Sequence, residues 1–128
     1  MTEAVETVAG RFWMDDDGVL RCIVKADRVQ DRADAEESMR VFFGLAGEVR
    51  RPLVLEATRL KALDREAREI YTGPMAARLV TAVAMVVSTS TIARAVLNFM
   101  LSVRKPMFPT RFFDSVEEAL SWARGFRG

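Results

Sequence analysis

Four consecutive hydroxyl residues form the stretch of this sequence that most resembles a binding site. They are Ser88, Thr89, Ser90 and Thr91. They follow the apolar run LVTAVAMVV, and Arg94 lies about one helical turn further on. Hydroxyl oxygens at the start of a helix accept the backbone N–H groups that have no partner within the helix. The same N–H groups attract anions, and an arginine binds phosphate or carboxylate through two hydrogen bonds. The stretch therefore predicts either a simple helix cap or a small anion site.

A second candidate site is a short predicted helix with charges of alternating sign. Its charged residues are Asp64, Arg65, Glu66, Arg68 and Glu69. Such a helix face is typical of a solvated surface, and it also suits contact with a protein partner. Tyr71 follows on the same helix and could transfer protons, but no nucleophile stands beside it in the sequence.

The residues that are absent restrict the chemistry further. The chain contains no histidine, which excludes the usual Ser-His-Asp and Cys-His catalysis and most zinc sites. The single cysteine, Cys22, lies among apolar neighbours and is typical of a core thiol. The run Asp15-Asp16-Asp17 lacks the closing glutamate of a calcium loop and is typical of a turn. We therefore expect no catalytic residue, no metal, no cofactor and no enzymatic activity.

Composition and charge favour a single cytoplasmic domain that spans residues 1–128. Lys and Arg number 19 against 18 Asp and Glu, so the net charge of +1 gives no electrostatic reason to expect nucleic-acid binding. With one cysteine the chain cannot form an intramolecular disulfide, which is typical of a reducing compartment. The start MTEAVETVAGRF lacks the basic flank and apolar run of a signal peptide.

Residues 79–103 raise the question of a membrane span, because Arg94 is their only charged residue. A spanning helix needs about 20 mainly apolar residues, but the hydroxyl run interrupts this stretch. The part before it is rich in β-branched residues, as in a strand buried on both faces. The part after it repeats apolar residues with helical spacing at Ile92, Val96, Phe99 and Val103. We therefore predict a strand, a cap and an amphipathic helix, and no membrane span.

The remaining segments predict the element order β-β-α-β-α-β-α-β-α. Two strands, 10–15 and 19–25, flank the turn signal Asp-Asp-Gly. Apolar residues at helical spacing predict a helix over 31–49, followed by a buried strand over 52–57. A last strand over 110–113 precedes a final helix capped by Asp114 or Ser115. Strands that alternate with helices imply a mixed, mainly parallel sheet with right-handed crossovers.

Four segments carry a resemblance to a known family: EAREIYTG (66–73), LVTAVAMVV (79–87), ARAVLNFML (93–101) and KPMFPTRFFDSVEEALSW (105–122). The chain resembles the STAS/SpoIIAA-like group, also called STAS/SEC14-like, and especially its small bacterial members. Classical members have Asp-Ser-Ser-Gly after a buried strand, and a kinase phosphorylates one of these serines to switch partner binding. Here Asp64 matches the aspartate, but Arg65, Glu66 and Ala67 follow it and offer no hydroxyl.

The resemblance implies a SpoIIAA-like fold and a protein-interaction or regulatory module that lacks the usual phosphorylatable serine. The alternative is a binding domain for a small anionic or lipid-like ligand. Met107 and Phe108 lie between two prolines before the last strand, near a predicted sheet edge. Leaving each large apolar side chain in water forgoes roughly 1.5–3 kcal/mol. We therefore expect a homo-oligomer, most simply a dimer, with Met107, Phe108 and the exposed side of the predicted helix over 93–103 in or near its interface.

Overall fold

The computed structural model describes residues 3–25, 29–59, 62–88 and 107–127. Its strands and helices alternate along most of the chain. In chain order they are β1 Val5–Glu6, β2 Gly10–Met14, β3 Leu20–Val24, β4 Val29–Gln30, α1 Arg32–Ala46, β5 Arg51–Glu56, β6 Ala62–Leu63, α2 Arg65–Thr72, α3 Pro74–Leu79, β7 Val80–Val86, β8 Thr110–Phe113 and α4 Val116–Arg124.

In the described part of the chain, six strands form the central sheet in the order β1-β2-β3-β5-β7-β8. The strands β1, β2 and β3 pair antiparallel, whereas β3, β5, β7 and β8 are parallel to one another. This arrangement confirms the predicted mixed, mainly parallel sheet after an N-terminal hairpin. The hairpin turns at Gly18, whose φ of 79° is a left-handed conformation that glycine adopts without strain. Two short strands, β4 and β6, form a separate parallel pair that the sequence pattern did not predict.

Helices cover both faces of the central sheet. On one face, α1, α2 and α3 pack over a large core that includes Phe12, Leu53 and Val83. On the other face, α4 packs through Ala119 and Ala123 over the side chains of alternate strand residues such as Val54 and Ala84. The central strands β5 and β7 are buried at most positions and are mainly apolar, because helices cover both of their faces.

Side-chain caps begin three of the helices. Asp31 and Asp34 form a reciprocal capping box at the start of α1, where the Asp34 N–H donates to Asp31 Oδ1 at 3.0 Å. The Ala67 N–H donates to Asp64 Oδ1 at 2.9 Å at the start of α2. Ser115 caps α4, since its Oγ accepts the Glu118 N–H at 3.3 Å. These side-chain oxygens bind N–H groups that lack an intrahelical partner.

Helix α1 is shorter than predicted, because Gly47 ends it with a φ of 72°. The Gly47 N–H donates to the carbonyl of Phe43 at 3.2 Å, which closes the last turn. Val49, the last residue of the helix predicted over 31–49, lies beyond this turn and is 52% exposed. The predicted end of this helix at Val49 is therefore wrong, because the helix does not continue past Gly47.

The strand predicted at the start of residues 79–103 is confirmed as β7. The predicted cap and helix after it, from Thr89 to Val103, lie outside the described residues. Within residues 3–25, 29–59, 62–88 and 107–127, none of the helices has the length and apolar content needed to cross a membrane.

Candidate functional site

The predicted partner residues on α2 divide between two environments. Arg65 donates from Nε to Glu69 Oε1 at 3.2 Å on the exposed side of the helix. Glu66 lies 3.7 Å from Arg32 of α1, measured from Oε2 to Nη1. Arg68 is half-buried and faces an internal cavity instead. Asp64 caps the helix. The structure therefore brings Arg65, Glu66 and Glu69 together on one surface and separates Arg68 from them.

The exposed side of α2 forms one wall of an open groove of about 1170 Å³ against α1 and α3. Its floor is apolar and consists of Met39, Phe43, Ile70 and Met75. Its rim carries three arginines and three glutamates, namely Arg32, Arg40, Arg65, Glu36, Glu66 and Glu69. Met75 is 52% exposed at the end of the groove floor. The groove thus combines an apolar floor with a rim of balanced charge.

An ion-pair network joins the two helices along this rim. Arg32 donates from Nε to Glu36 Oε1 at 2.7 Å and also approaches Glu66. The hydrogen bond to Glu36 and the charges of Glu36 and Glu66 raise the pKa of Arg32 above its ordinary value. Arg32 is therefore charged at every physiological pH. Because these side chains are exposed, the network contributes little to stability and acts mainly to define the charge pattern of the rim.

A cavity of about 110 Å³ lies on the other side of α2, between that helix, α1 and the sheet. Its apolar lining comes from two neighbouring rows of the sheet. In one row, the residues next to each other on adjacent strands are Phe12, Cys22, Leu55 and Met85. In the next row they are Leu53 and Val83. Phe108 also lines the cavity. The cavity is therefore largely apolar on its sheet side.

Polar side chains line the helical side of this cavity: Gln30, Ser38, Arg68, Tyr71 and Thr72. The Tyr71 hydroxyl donates to Gln30 Oε1 at 2.6 Å, and Gln30 is only 4% exposed. Ser38 donates to the carbonyl of Asp34 at 3.0 Å, and Thr72 donates to the carbonyl of Arg68 at 2.7 Å. Each of these three hydroxyls therefore has a hydrogen-bond acceptor, as buried polar groups require.

The Cys22 thiol and the Tyr71 hydroxyl, which line this cavity, both remain protonated and therefore neutral. Burial, more than the nearby charge of Asp34, raises the pKa of Tyr71 well above its ordinary value, although a hydrogen bond with Ser38 opposes the rise. Burial and then the charge of Glu56 raise the pKa of the Cys22 thiol. A neutral thiol is a poor nucleophile and a neutral phenol is a poor base. Neither group is therefore in its reactive, ionised form at neutral pH.

The remaining predicted site residues are only partly within the described chain. Ser88 is half-buried just after β7, whereas Thr89, Ser90, Thr91 and Arg94 lie outside the described residues. Met107 is 60% exposed, and Phe108 packs against the large core. Among the residues that the structure describes, cysteine and carboxylate side chains form no group of three that could hold a metal ion.

Sequence reasoning missed the cavity, although α1 carries one signal for it. Ser38 interrupts the apolar stripe of Ala35, Met39 and Phe42, and it is 2% exposed. A polar residue on an apolar face indicates either a local backbone hydrogen bond or a polar neighbour across the core. Gln30 gave no comparable signal, because nothing near it in the sequence indicates that Tyr71 lies opposite.

Comparisons with known proteins found a matching family and similar solved structures. The model of a family described as a domain of unknown function (DUF7793) matches residues 12–127. The crystal structure of an uncharacterized protein from the DUF3478 family with a SpoIIAA-like fold, from Shewanella loihica PV-4, is 17% identical, with a TM-score of 0.58 over 96% of this chain and 98% of that one. A protein of unknown function from Arthrobacter sp. FB24 is 29% identical over 93% of this chain and 95% of that one, with a TM-score of 0.37.

No curated protein matches the chain significantly. The likeness to the Shewanella structure confirms the resemblance to the STAS/SpoIIAA-like group at the level of the fold. Since the family model spans nearly the whole sequence, this chain belongs to the DUF7793 family and has a SpoIIAA-like fold.

Proposed function

We propose that this protein is a non-enzymatic interaction module in which the groove between α1, α2 and α3 binds a protein partner. The observation that carries the proposal is the apolar floor of the groove, where Met75 is 52% exposed beside Phe43 and Ile70. Methionine and aromatic side chains are enriched at the centres of protein interfaces. A regulatory role would not use phosphorylation at the start of α2, because Arg65, Glu66 and Ala67 carry no hydroxyl.

The partner that suits this groove is an amphipathic helix. Its apolar side chains would contact the floor at helical spacing, as in other complexes where a helix binds between helices. The rim carries equal numbers of arginines and glutamates. We therefore expect charges of both signs beside the apolar face of the partner helix, since complementary charges favour the correct orientation.

Comparison of two matched variants tests this proposal. Met75→Glu adds a charge to the groove floor, whereas Val49→Glu adds the same charge at a position of equal exposure, 52%, outside the groove. Tagged protein would be purified from the cells in which it is naturally made, and co-purifying proteins would be quantified by mass spectrometry. We expect a partner that is retained by the wild type and Val49→Glu but lost with Met75→Glu. Equal retention by both variants would contradict binding through the groove.

We also propose that the module works in the cytoplasm. Cys22 is 3% exposed and is the only cysteine, so the fold relies on no disulfide within the chain. Such a chain suits a compartment in which thiols remain reduced.

A second function, the binding of a small anionic or lipid-like ligand, is favoured by the cavity under α2. This cavity is apolar toward the sheet and polar toward the helix, as ligand sites in proteins commonly are. The two functions use opposite sides of α2 and do not exclude each other. Titration of the purified protein with small amphiphiles, followed by calorimetry, tests this function separately from the protein partner.

A further inference from the structure

Arg68 is the charged side chain in the lining of the cavity. Two nearby arginines pair with carboxylates, since Arg65 lies 3.2 Å from Glu69 and Arg32 lies 2.7 Å from Glu36. Arg68 lines the cavity, is half-buried, and has no ion-pair partner among the residues that the structure describes. A cation that is partly removed from water without a partner is unfavourable. A ligand with a negative charge would supply the missing partner.

The remaining polar groups favour a ligand end that accepts hydrogen bonds. Gln30 Oε1 already accepts the Tyr71 proton at 2.6 Å. The amide nitrogen of Gln30 is a donor, and the Arg68 guanidinium offers five N–H donors in a planar arrangement. A carboxylate accepts two parallel hydrogen bonds from such a guanidinium. The donors at the helical side of the cavity therefore suit a carboxylate.

The size of the cavity limits the rest of the ligand. An engineered apolar cavity of about 150 Å³ in another protein binds benzene. The cavity here measures about 110 Å³ and is walled on its sheet side by Cys22, Leu55 and Met85. By that comparison it suits an apolar body of about four to six carbon atoms. A long acyl chain would not fit within it.

We propose that the cavity binds a small monocarboxylate, with the carboxylate at Arg68 and a short apolar body against Cys22, Leu55 and Met85. This inference rests on the second proposed function, ligand binding, and does not depend on the protein partner of the groove.

Calorimetric titration of the full chain with hexanoate, 1-hexanol and decanoate tests the chemical class. We expect hexanoate to bind about tenfold more tightly than 1-hexanol, because only the carboxylate pairs with Arg68. Arg68→Gln should remove this preference, whereas Arg65→Gln, on a side chain that is 84% exposed outside the cavity, should retain it. Circular dichroism would verify that both variants fold.

Methionine methyl NMR tests the location of the ligand. Met85 lines the cavity, whereas Met75 lies in the groove on the far side of α2. In protein labelled at the methionine methyl groups, hexanoate should shift the Met85 signal and leave that of Met75 unchanged. A shift of Met75 alone would overturn the assignment to the cavity.

The other outcomes separate the inference from the function on which it rests. Equal binding of 1-hexanol and hexanoate would overturn the carboxylate but leave a ligand-binding cavity. Tighter binding of decanoate than of hexanoate would overturn the proposed size. Absence of binding by all three compounds would overturn both the inference and the second proposed function.

Discussion

Cys22 and Tyr71 illustrate how burial sets the chemistry of single residues in this fold. Cys22 is 3% exposed within β3, and its pKa is raised by burial and by the charge of Glu56. Tyr71 donates a hydrogen bond to Gln30, 41 residues away in the sequence, and burial also raises the pKa of Tyr71. Both side chains therefore stay protonated in the folded protein at pH values where they ionise in the unfolded chain.

This difference predicts that the protein loses stability in alkaline solution. Because the thiol of Cys22 ionises near its ordinary pKa of 9.0 only in the unfolded state, the unfolded state binds fewer protons above that pH. The free energy of unfolding should then fall by up to about 1.4 kcal/mol per pH unit for this group. Below the ordinary pKa the contribution is constant. Urea denaturation between pH 7.5 and 10.5 measures the slope.

Cys22→Ala is the control for the alkaline prediction. This substitution removes the ionisable thiol. The free energy of unfolding should therefore fall less steeply with rising pH, by the amount that the ionisation of Cys22 contributes. The part due to Tyr71, whose pKa is raised from 10.0, should remain. An unchanged slope in Cys22→Ala would contradict the assignment.

At the scale of the element, α2 has a different role on each side. Its exposed side carries Arg65, Glu66 and Glu69 along the groove, and its inner side carries Arg68, Tyr71 and Thr72 along the cavity. The helix is only eight residues long, so it has little intrinsic stability and depends on packing and on its cap. Asp64 supplies that cap through the Ala67 N–H.

Removal of the cap should therefore destabilise the protein measurably. We expect Asp64→Ala to lower the free energy of unfolding by about 1 kcal/mol, since the Ala67 N–H then loses its acceptor. Asp64→Asn keeps a side-chain oxygen at the same position and should retain most of the stability. Chemical denaturation of the three proteins at neutral pH gives the comparison. Equal losses in Asp64→Ala and Asp64→Asn would show that charge, and not the hydrogen bond, is responsible.

At the scale of the whole molecule, β8 is the last strand of the central sheet among the residues that the structure describes, and it lies next to Met107. This methionine is 60% exposed, whereas Phe108 is half-buried against the large core and lines the cavity. An exposed methionine beside an edge strand of four residues suits a contact between two copies of the chain. Of the two residues, Met107 has the larger exposed fraction to contribute.

We expect the protein to form a dimer at micromolar concentration, with Met107 in or near the interface. Met107→Glu should shift the equilibrium toward the monomer, because the charge would have to be desolvated at the contact. Val49→Glu, with similar exposure in the loop between α1 and β5, is the matched control. Light scattering over a range of concentrations gives the mass. A wild-type mass equal to the 14.4 kDa of one chain would exclude the dimer.

The sequence by itself determined the main elements of this fold. Continuous apolar runs predicted the buried strands β5 and β7, because parallel strands covered on both faces need apolar residues at almost every position. Asp64 marked the start of α2, since a cap acts on N–H groups only three residues away. These features were predictable because each depends on the order of residues within one short segment.

Only the tertiary structure decided what the two sides of α2 contact. The alternating charges of Arg65, Glu66, Arg68 and Glu69 appeared equivalent in the sequence, but packing turned Arg68 toward the cavity and left the others on the groove. The hydrogen bond between the side chains of Tyr71 and Gln30 joins segments that are 41 residues apart in the sequence. A cavity is the space that side chains from distant segments leave between them, so its size depends on how those segments pack. No pattern within a short segment predicts how distant segments pack. The candidate ligand site could therefore be recognised only in the folded structure.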